Sequence, residues 1–504
     1  RTRILFLTVL FLALTIVLAI FGLVIASVFK NYPQAIFPCL IQIPLAVIIG
    51  VTIHRKGANI LIPSLVSLAL MYLTVAFGDI GSLGNFNEYL GGDPSNPDSN
   101  GLSVISWVML LLGYSYIASV LPVWTLLQPR DYINSLQLLS ALGLVVLGLV
   151  AACFFGGAAL TPGAERPALE IVAPAFNFSP EGAPSIFPFL FITIACGAIS
   201  GFHCLVSSGT TSKQLQCESD AQLVGYGSML TEGFLAVLVI LACISGLGLG
   251  TGTGESFISG SAAFEARYAS WDAAKGLGAK VGAFVEGSAN FLKSLGLPAK
   301  FSIALMGVFV ASFAATTLDT ACRLQRYVVQ ELAGTLAPRH RVNGKRTGEF
   351  VSGNPLFWLT NRHAATLFAI TIAFFIAQLP GGEGKAPGTG GLLLWPLFGA
   401  INQLLAGLAF LVITFWLRRR GLPYSLALIP GILMLVLPAI AMSLNLRDFA
   451  DNNSWLLFGF GFTTIIIEVW MIVEALSVWK KSKGILEIRE DIPKAAENRG
   501  GRSC

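Results

Sequence analysis

The sequence predicts an all-α, polytopic integral membrane protein with about twelve transmembrane helices of the usual ~20 residues. Three observations predict this class. Of the 504 residues, 55% are hydrophobic and 12% are charged, and the mean hydropathy is +0.74, whereas soluble domains carry about 25% charged residues. Apolar runs of spanning length recur along the whole chain. The basic residues gather in alternate connections between these runs, as they do in membrane proteins with a fixed orientation.

The predicted spans are the apolar runs that reach this length. Each is expected to be helical, because a helix satisfies its own backbone hydrogen bonds where hydrocarbon offers no partner. In chain order they cover residues 4–29, 35–53, 58–77, 102–127, 133–154, 185–206, 222–249, 301–318, 363–379, 392–416, 424–443 and 455–479.

The Lys and Arg distribution predicts that both termini are cytoplasmic. With this orientation most of the 32 Lys and Arg residues fall on the inner side, as the positive-inside rule requires. The inner side then receives, among others, Arg55, Arg130, Lys213 and the Arg triplet at 418–420. The net charge of +5 is therefore a sign of orientation in the lipid bilayer and not of nucleic-acid binding.

The pattern divides the chain into three parts. Residues 1–346 form a transmembrane core, which carries an outer loop, 251–300, and a basic inner loop, 319–362, at its end. Residues 354–480 form a C-terminal transmembrane segment, and residues 481–504 form a polar cytoplasmic tail.

Two external connections have a distinct composition. Residues 78–101 are acidic and rich in Gly, Asn and Pro, which predicts a loop. Residues 265–292 form an amphipathic stretch, and we expect it to lie on the outer surface.

No motif for ATP-driven transport or hydrolysis is found in the sequence. The Gly-rich stretch 250–256 lacks the Gly-Lys-Ser/Thr ending of a phosphate-binding loop, and we interpret it as a flexible loop. The eight cysteines form no CxxC pair and predict neither a disulfide framework nor a metal site. We therefore predict no catalytic residues, no cofactor and no metal.

The sixth predicted span is too polar to be an inert crossing. It contains Ser200, Gly201 and His203, and Gly197 lies four residues before Gly201, as at a close helix contact. Beyond His203 the run of Ser, Gly and Thr residues predicts that the helix opens, and unwound backbone in a transporter can bind ions and carboxylates. Its hydroxyls, which we predict to line a substrate cavity, are those of Ser207, Ser208, Thr210 and Thr211. The alternative is a helix-packing seam whose hydroxyls bond to their own helix.

Glu232 in the seventh span is the predicted proton-coupling carboxylate. It lies ten residues beyond Gln222, which places it roughly 15 Å along the helix, near the midplane. Carboxylates at that depth mark proton relays. Glu468 in the last span lies at similar depth and is the competing candidate. The alternative for both is a protonated acid that bonds to a neighbouring helix.

Two charged clusters are predicted at inner helix ends, as gates or as structural corners. Pro129, Arg130 and Asp131 end the fourth span, and the two charges are expected to pair. In the eighth span Asp319 and Arg323 are spaced i and i+4, which predicts a salt bridge on one helix face.

Two adjacent amides, Asn402 and Gln403, are predicted inside the tenth span. They point to different faces, so we expect at least one to contact another helix. Helix-to-helix contact and ligand contact are equally compatible with the pattern.

Several of these segments resemble the carbon starvation protein A (CstA) family of bacterial inner-membrane transporters. The similar stretches are LPVWTLLQPRDY (121–132), FPFLFITIACGAISGFHCLVSSGTTSKQL (187–215), VGYGSMLTEGFLAV (224–237), LDTACRLQRYVVQEL (318–332) and LWPLFGAINQLLAGLA (394–409). They occur in family order. The resemblance implies a fold similar to the LeuT-like inverted-repeat transporters, with a site at midplane between broken helices. It also implies that 1–346 and 354–480 are both of CstA type, and that Glu232 matches a family carboxylate.

The resemblance implies peptide uptake across the bacterial inner membrane during carbon limitation. Some relatives in the family carry pyruvate with protons, so a proton-coupled pyruvate or small-carboxylate symporter is the alternative. A membrane sensor or channel is the alternative from another class. The expected partners are a small-molecule substrate and a coupling proton or sodium ion. Family members carry further spans before the first span found here, so we expect the N-terminal spans to be missing.

Overall fold

The computed structural model describes most of the chain. The described residues are 2–57, 59–92, 101–159, 165–178, 180–252, 257–268, 270–271, 274, 276–337, 339–342, 345–350, 355–379, 389–392 and 394–483. The predicted tail therefore lies almost entirely outside the described residues, as does most of the Gly-rich stretch 250–256.

The described chain is built almost entirely from helices, with one small hairpin. The helices are α1 (Thr2–Asn31), α2 (Ile36–Lys56), α3 (Leu61–Phe77), α4 (Gly81–Gly91), α5 (Val104–Val120), α6 (Leu127–Phe155), α7 (Phe191–Ala198), α8 (Gly201–Gly209), α9 (Asp220–Gln222), α10 (Ser228–Leu241), α11 (Ser261–Tyr268), α12 (Leu277–Ser294), α13 (Ala299–Leu336), α14 (Pro355–Trp358), α15 (Arg362–Gln378), α16 (Trp395–Arg419), α17 (Ser425–Asp451) and α18 (Trp455–Trp479). The antiparallel strands β1 (Arg339–Val342) and β2 (Lys345–Phe350) form the hairpin.

Nine helical segments of the described chain are long and apolar enough to cross a membrane. A tenth forms if α3 and α4, which meet at 81°, count as one span. Val104–Val120 and Arg362–Gln378 are shorter apolar helices. Each of the predicted spans falls on one of these segments, so the prediction of an all-α, polytopic membrane protein is confirmed. A LeuT-like arrangement stays a prediction.

Helix α1 lies at the centre of the bundle. Its sequence is apolar on every side, and it packs against α5, α13, α15 and α16. Leu14, Leu18 and Ala26 are at most 1% exposed. A helix that is hydrophobic all round is either buried in protein or spans a membrane, and neighbouring helices bury the middle of α1.

Helix α13 does not end where the sequence predicts. The expected span stops at Leu318, but the helix continues to Leu336 and is 38 residues long, or about 57 Å. The first part of the predicted basic inner loop is therefore helix. Asp319 and Gln325 in that part are fully buried, because other helices surround α13 beyond its apolar half.

Helix α12 is buried rather than on the outer surface, so the expectation for residues 265–292 was wrong over this helix. It packs between α6, α13 and the helical turn Ala242–Gly246 that follows α10. A Cβ on Gly287 would lie 2.0 Å from the Ala242 carbonyl oxygen, and one on Gly148 would lie 2.4 Å from that of Phe291. These glycines permit close contact between the backbone of α12 and those of its neighbours. The hydrophobic periodicity of a single helix does not predict such contacts.

Two further differences concern the predicted loops and cysteines. Residues 78–101 were predicted to be a loop but contain α4. Cys217 is disulfide-bonded, whereas the cysteine pattern predicted no disulfide framework.

Candidate functional site

The sixth predicted span is a broken helix. Helix α7 ends at Ala198 and α8 begins at Gly201. Between them Ile199 (φ −131°, ψ 90°) and Ser200 (φ −105°, ψ 121°) are extended. We call Ile199 and Ser200 the helix break.

The break lies earlier than the sequence predicted. Opening was expected beyond His203, but α8 runs on to Gly209. The Ser207 hydroxyl donates to the Cys204 carbonyl at 3.0 Å, and the Thr210 hydroxyl donates to the Val206 carbonyl at 2.8 Å. These hydroxyls bond to carbonyls of their own helix. The residues that we expected in unwound chain therefore lie in or beside a continuous helix.

Asn402 of α16 joins the two sides of the break. Its Oδ1 accepts from the backbone N–H of Phe202 at 2.8 Å and from the Ser200 hydroxyl at 3.3 Å. Its Nδ2 donates to Cys196 Sγ at 3.1 Å and to Ser200 Oγ at 3.2 Å. Ser200 Oγ also caps α8 by accepting from the His203 N–H at 3.4 Å. One amide therefore contacts the end of α7 and satisfies a donor at the start of α8.

Gly201 lets α8 sit directly on α16. A Cβ at this position would lie 2.3 Å from Leu405 Cβ and 2.4 Å from the Asn402 carbonyl oxygen. At Gly197, the other half of the predicted close contact, an added Cβ would have nothing within 4 Å. The tight contact therefore depends on Gly201 alone.

The remaining polar residues of this span face away from α16. His203, Ser207 and Ser208 are exposed, and Thr210 and Thr211 are half-buried. In contrast, Gln403 is fully buried, and neither of its amide atoms has a hydrogen-bond partner in the described chain. The two neighbouring amides of α16 thus have opposite environments.

A second polar cluster forms around Arg130 in the first turn of α6. Its guanidinium binds both carboxylate oxygens of Asp319, which lies 189 residues away on α13. It also donates to Asp131 Oδ1 at 2.9 Å and to the Tyr114 hydroxyl at 2.7 Å. The Tyr114 hydroxyl in turn donates to Asp319 Oδ2 at 2.9 Å. Arg130 is 2% exposed and Asp319 is 0% exposed, so this bidentate pair is desolvated.

The predicted pairing of Asp319 with Arg323 was wrong. Arg323 instead donates to the backbone carbonyls of Ala118 at 2.7 Å and Leu121 at 2.5 Å. These carbonyls end α5 and have no partner within their own helix, so Arg323 caps α5. The predicted pair of Arg130 with Asp131 is present. We call Tyr114, Arg130, Asp131, Asp319 and Arg323 the Arg130 network.

The C-terminal end of α8 reaches the same region. Gln128 donates to the Gln214 side chain at 3.1 Å. Lys213 Nζ lies 5.9 Å from the centre of the Tyr327 ring. A Cβ on Gly209 would lie 2.6 Å from Leu324. Three separately predicted segments, near Pro129, Lys213 and Asp319, are therefore neighbours in space, while the helix break lies at the other end of α8.

The two candidate coupling carboxylates have contrasting surroundings. Glu232 is exposed on α10, among the exposed apolar side chains of Met229 and Phe234. Glu468 is 3% exposed, and its Oε1 has no partner in the described chain. Glu468 lines a cavity of 440 Å³ between α17 and α18. The structure therefore places the competing candidate, and not Glu232, inside the protein.

Sequence reasoning missed some members of both clusters. Tyr114 and Cys196 sit in apolar runs and carry no local signal. A buried pair of amides, Gln42 with Asn134, was also missed. Asn134 follows Arg130 by one helical turn, and Gln137 follows by another. That spacing was the available signal for a polar stripe on α6.

The fold and these clusters define a multi-pass helical membrane protein with a broken span and a buried charge network. The model of the family described as "Carbon starvation protein CstA" matches residues 1–443. The chain belongs to this family, and the resemblance seen in the sequence is confirmed.

Several curated relatives have transporter names. The "Peptide transporter CstA" of Mycobacterium tuberculosis (strain ATCC 25618 / H37Rv) is 31% identical over 84% of this chain and 55% of its own length. The "Peptide transporter CstA" of Helicobacter pylori (strain ATCC 700392 / 26695) is 29% identical over 86% and 62%. The "Pyruvate/proton symporter BtsT" of Escherichia coli (strain K12) is 28% identical over 86% and 63%. The chain thus spans less than two thirds of these relatives. No solved structure matches it.

Proposed function

We propose that the protein is a secondary active transporter that takes up short peptides across the bacterial inner membrane when carbon is scarce. The helix break carries this proposal. A discontinuous membrane helix presents backbone N–H and carbonyl groups inside the bilayer, where transporters bind polar solutes. Asn402 holds the two half-helices together with neutral hydrogen bonds. Family membership and the peptide-transporter names of the relatives support the same activity.

In this proposal the solute passes the exposed side of the broken span. Ser200 and His203 meet it at the break, where Gly201 positions α8 against α16. The hydroxyls of Ser207, Ser208, Thr210 and Thr211 extend the polar surface along α8, toward the predicted cytoplasmic side. Asn402 acts through the geometry of the break. Gln403, whose amide is buried without a partner in the described chain, acquires one when the helices rearrange around the solute.

The Arg130 network is the proposed inner gate. It ties α5, α6 and α13 together next to the end of α8, at the predicted cytoplasmic ends of these helices. Separating Arg130 from Asp319 without replacement partners leaves a buried charge, which costs roughly 3–5 kcal/mol. A gate of this kind stays closed until substrate or proton binding stabilises another arrangement. Pro129, Asp131 and Arg323 shape the corner around the pair.

Proton coupling at Glu232 is tested by comparison with Glu468. Glu232→Gln is expected to abolish accumulation driven by an inward proton gradient but to leave substrate exchange, because the amide cannot change its charge. Glu468→Gln is the matched variant. Unchanged gradient-driven uptake in Glu232→Gln, with loss in Glu468→Gln, transfers the coupling role to the buried carboxylate. An inward sodium gradient tests the other coupling ion.

A proton-coupled pyruvate symporter is the second candidate, supported by the 28% identity to BtsT. Proteoliposomes that contain the purified chain distinguish the candidates, with labelled dipeptide and labelled pyruvate assayed separately under a proton gradient. Dipeptide accumulation above the external concentration supports the first proposal, and accumulation of pyruvate alone supports the second. Passive equilibration of both contradicts coupled transport and favours a channel.

A further inference from the structure

A cavity with charged walls lies at the end of the bundle opposite the Arg130 network. Its volume is 750 Å³, and it is lined by the α1–α2 turn, the α3–α4 bend and the α12–α13 connection. Helix α5 separates the two regions. It begins near Lys30, which donates to the Leu102 carbonyl at 3.2 Å, and it runs about 25 Å to the turn that precedes Arg130. With the predicted orientation the cavity opens on the external side.

The cavity carries charges of both signs. Lys300 Nζ donates to Asp79 Oδ2 at 2.6 Å, and both side chains are solvent-accessible. Glu88 also lines the cavity and acts electrostatically on Lys300. Glu88 makes no ion pair with any described residue. The walls therefore present two carboxylates and one ammonium, of which one carboxylate is uncompensated.

A buried amide positions the helix that carries Glu88. Asn87, next to Glu88, is buried and donates to the Gly78 carbonyl at 2.8 Å, and its Oδ1 accepts from the Phe37 N–H at 3.0 Å. This amide fixes α4 against α2 and the bend. Lys300 stands in the first turn of α13, where the helix dipole disfavours a cation. A lysine at this position does not stabilise the helix. The charged Lys300 side chain is instead favoured by the nearby carboxylates of Asp79 and Glu88.

We propose that this cavity binds zwitterionic solutes, namely short peptides with a free α-ammonium and a free carboxylate. The ammonium pairs with Glu88 and Asp79, and the carboxylate pairs with Lys300 after the Lys300–Asp79 bond opens. The volume falls within the roughly 300–1,000 Å³ of small-molecule sites. A monoanion such as pyruvate offers no cation to the acidic excess and is repelled by it. The inference rests on the proposed peptide uptake, and it assigns the first contact of that substrate.

Binding to the purified full chain in lipid nanodiscs tests the assignment. The probes are dialanine, N-acetyl-dialanine, which lacks the ammonium, and dialanine amide, which lacks the carboxylate. For the unmodified protein, each blocked probe is expected to bind about tenfold more weakly than dialanine, the loss that ~1.4 kcal/mol represents. Equal affinity for all three probes overturns the proposal.

Three substitutions assign the charges. Glu88→Gln and Asp79→Asn should weaken dialanine binding about tenfold but should not weaken binding of N-acetyl-dialanine, an anion that these carboxylates repel. Lys300→Gln should weaken binding of dialanine but should not weaken binding of dialanine amide, a cation that Lys300 repels. Asp451→Asn, at an exposed ion pair on α17 outside this cavity, is the control and should alter none of these affinities. Glu88→Gln breaks no ion pair with a described residue, so the variant should fold. Unchanged dialanine affinity in this variant contradicts the proposal.

Uptake measurements keep this inference separate from the proposed function. If dialanine binds with the predicted selectivity but is not accumulated by proteoliposomes, the transport proposal fails and the binding site stands. If dialanine is accumulated and Glu88→Gln and Asp79→Asn leave its apparent KM unchanged, transport stands and the cavity is not the entry site.

Discussion

The helix break and the Arg130 network both place polar groups inside the bundle, but they do so in different ways. At the break, neutral hydroxyls and an amide bond to backbone, and one side of the span remains exposed. In the network, a bidentate charge pair is closed off from solvent. Neutral hydrogen bonds contribute about 1 kcal/mol each and are readily exchanged, whereas a buried charge without a partner is strongly destabilising. This contrast agrees with the proposed roles, which are solute binding at the break and a closed gate at the network.

Removing one charge of the network should give the largest loss of stability. Arg130→Met leaves the Asp319 carboxylate buried without its partner, and the free energy of unfolding should fall by about 3–5 kcal/mol. Unfolding in mixed detergent micelles measures it. The control is Arg3→Met, because the Arg3–Glu331 pair is exposed and such pairs contribute about 1 kcal/mol or less. Similar losses in the two variants would show that the network is not desolvated.

The same pair provides a second test through a double substitution. Arg130→Met combined with Asp319→Leu removes both charges together, and most of the lost stability should return. Uptake should become leaky, since the proposed gate then lacks its charge pair. A double variant that is stable and fully coupled contradicts the gating role.

A methyl group at the break should have the next largest effect. Gly201→Ala puts a Cβ 2.3 Å from Leu405 Cβ, and overpacking of this kind costs about 1–3 kcal/mol. Gly197→Ala is the matched control, four residues earlier in the same span with nothing within 4 Å of the new Cβ. Thermal stability and dipeptide uptake should decrease only in Gly201→Ala. Equal behaviour would mean that α8 does not sit tightly on α16.

The adjacent amides of α16 give the smallest and sharpest contrast. Asn402→Leu leaves the Phe202 N–H without its acceptor and should cost about 1–3 kcal/mol. Gln403→Leu removes a buried amide that has no partner in the described chain, so stability should stay the same or increase. Lower dipeptide uptake by a stable Gln403→Leu protein would support its proposed role in the rearrangement of the helices around the solute. Equal destabilisation by both changes would contradict the hydrogen bonding seen here.

Some features of both regions could be predicted from local sequence. The polar content of the sixth span predicted a special helix, and the Pro129–Arg130–Asp131 corner predicted a charged helix end. The position of the break could not be predicted from local sequence. The hydroxyls of Ser207 and Thr210 donate to carbonyls of their own helix, α8. The break at Ile199 and Ser200 is stabilised by Asn402, which lies on another helix, α16. Spacing on α13 favoured Arg323 as the partner of Asp319. The i, i+4 rule considers neighbours on one helix only. Arg130, which lies on α6, is the residue that pairs with Asp319.

The sequence by itself determined the class of protein, the approximate spans and the family. These depend on properties that each segment carries alone, since an apolar run of sufficient length is favoured in hydrocarbon whatever surrounds it. Only the tertiary structure decided that α12 is buried, that α13 extends to Leu336, that Asp319 pairs with Arg130 and that Glu468 is enclosed while Glu232 is exposed. Those outcomes depend on which helices meet, because burial and charge pairing are properties of contacts between distant segments and not of any one of them.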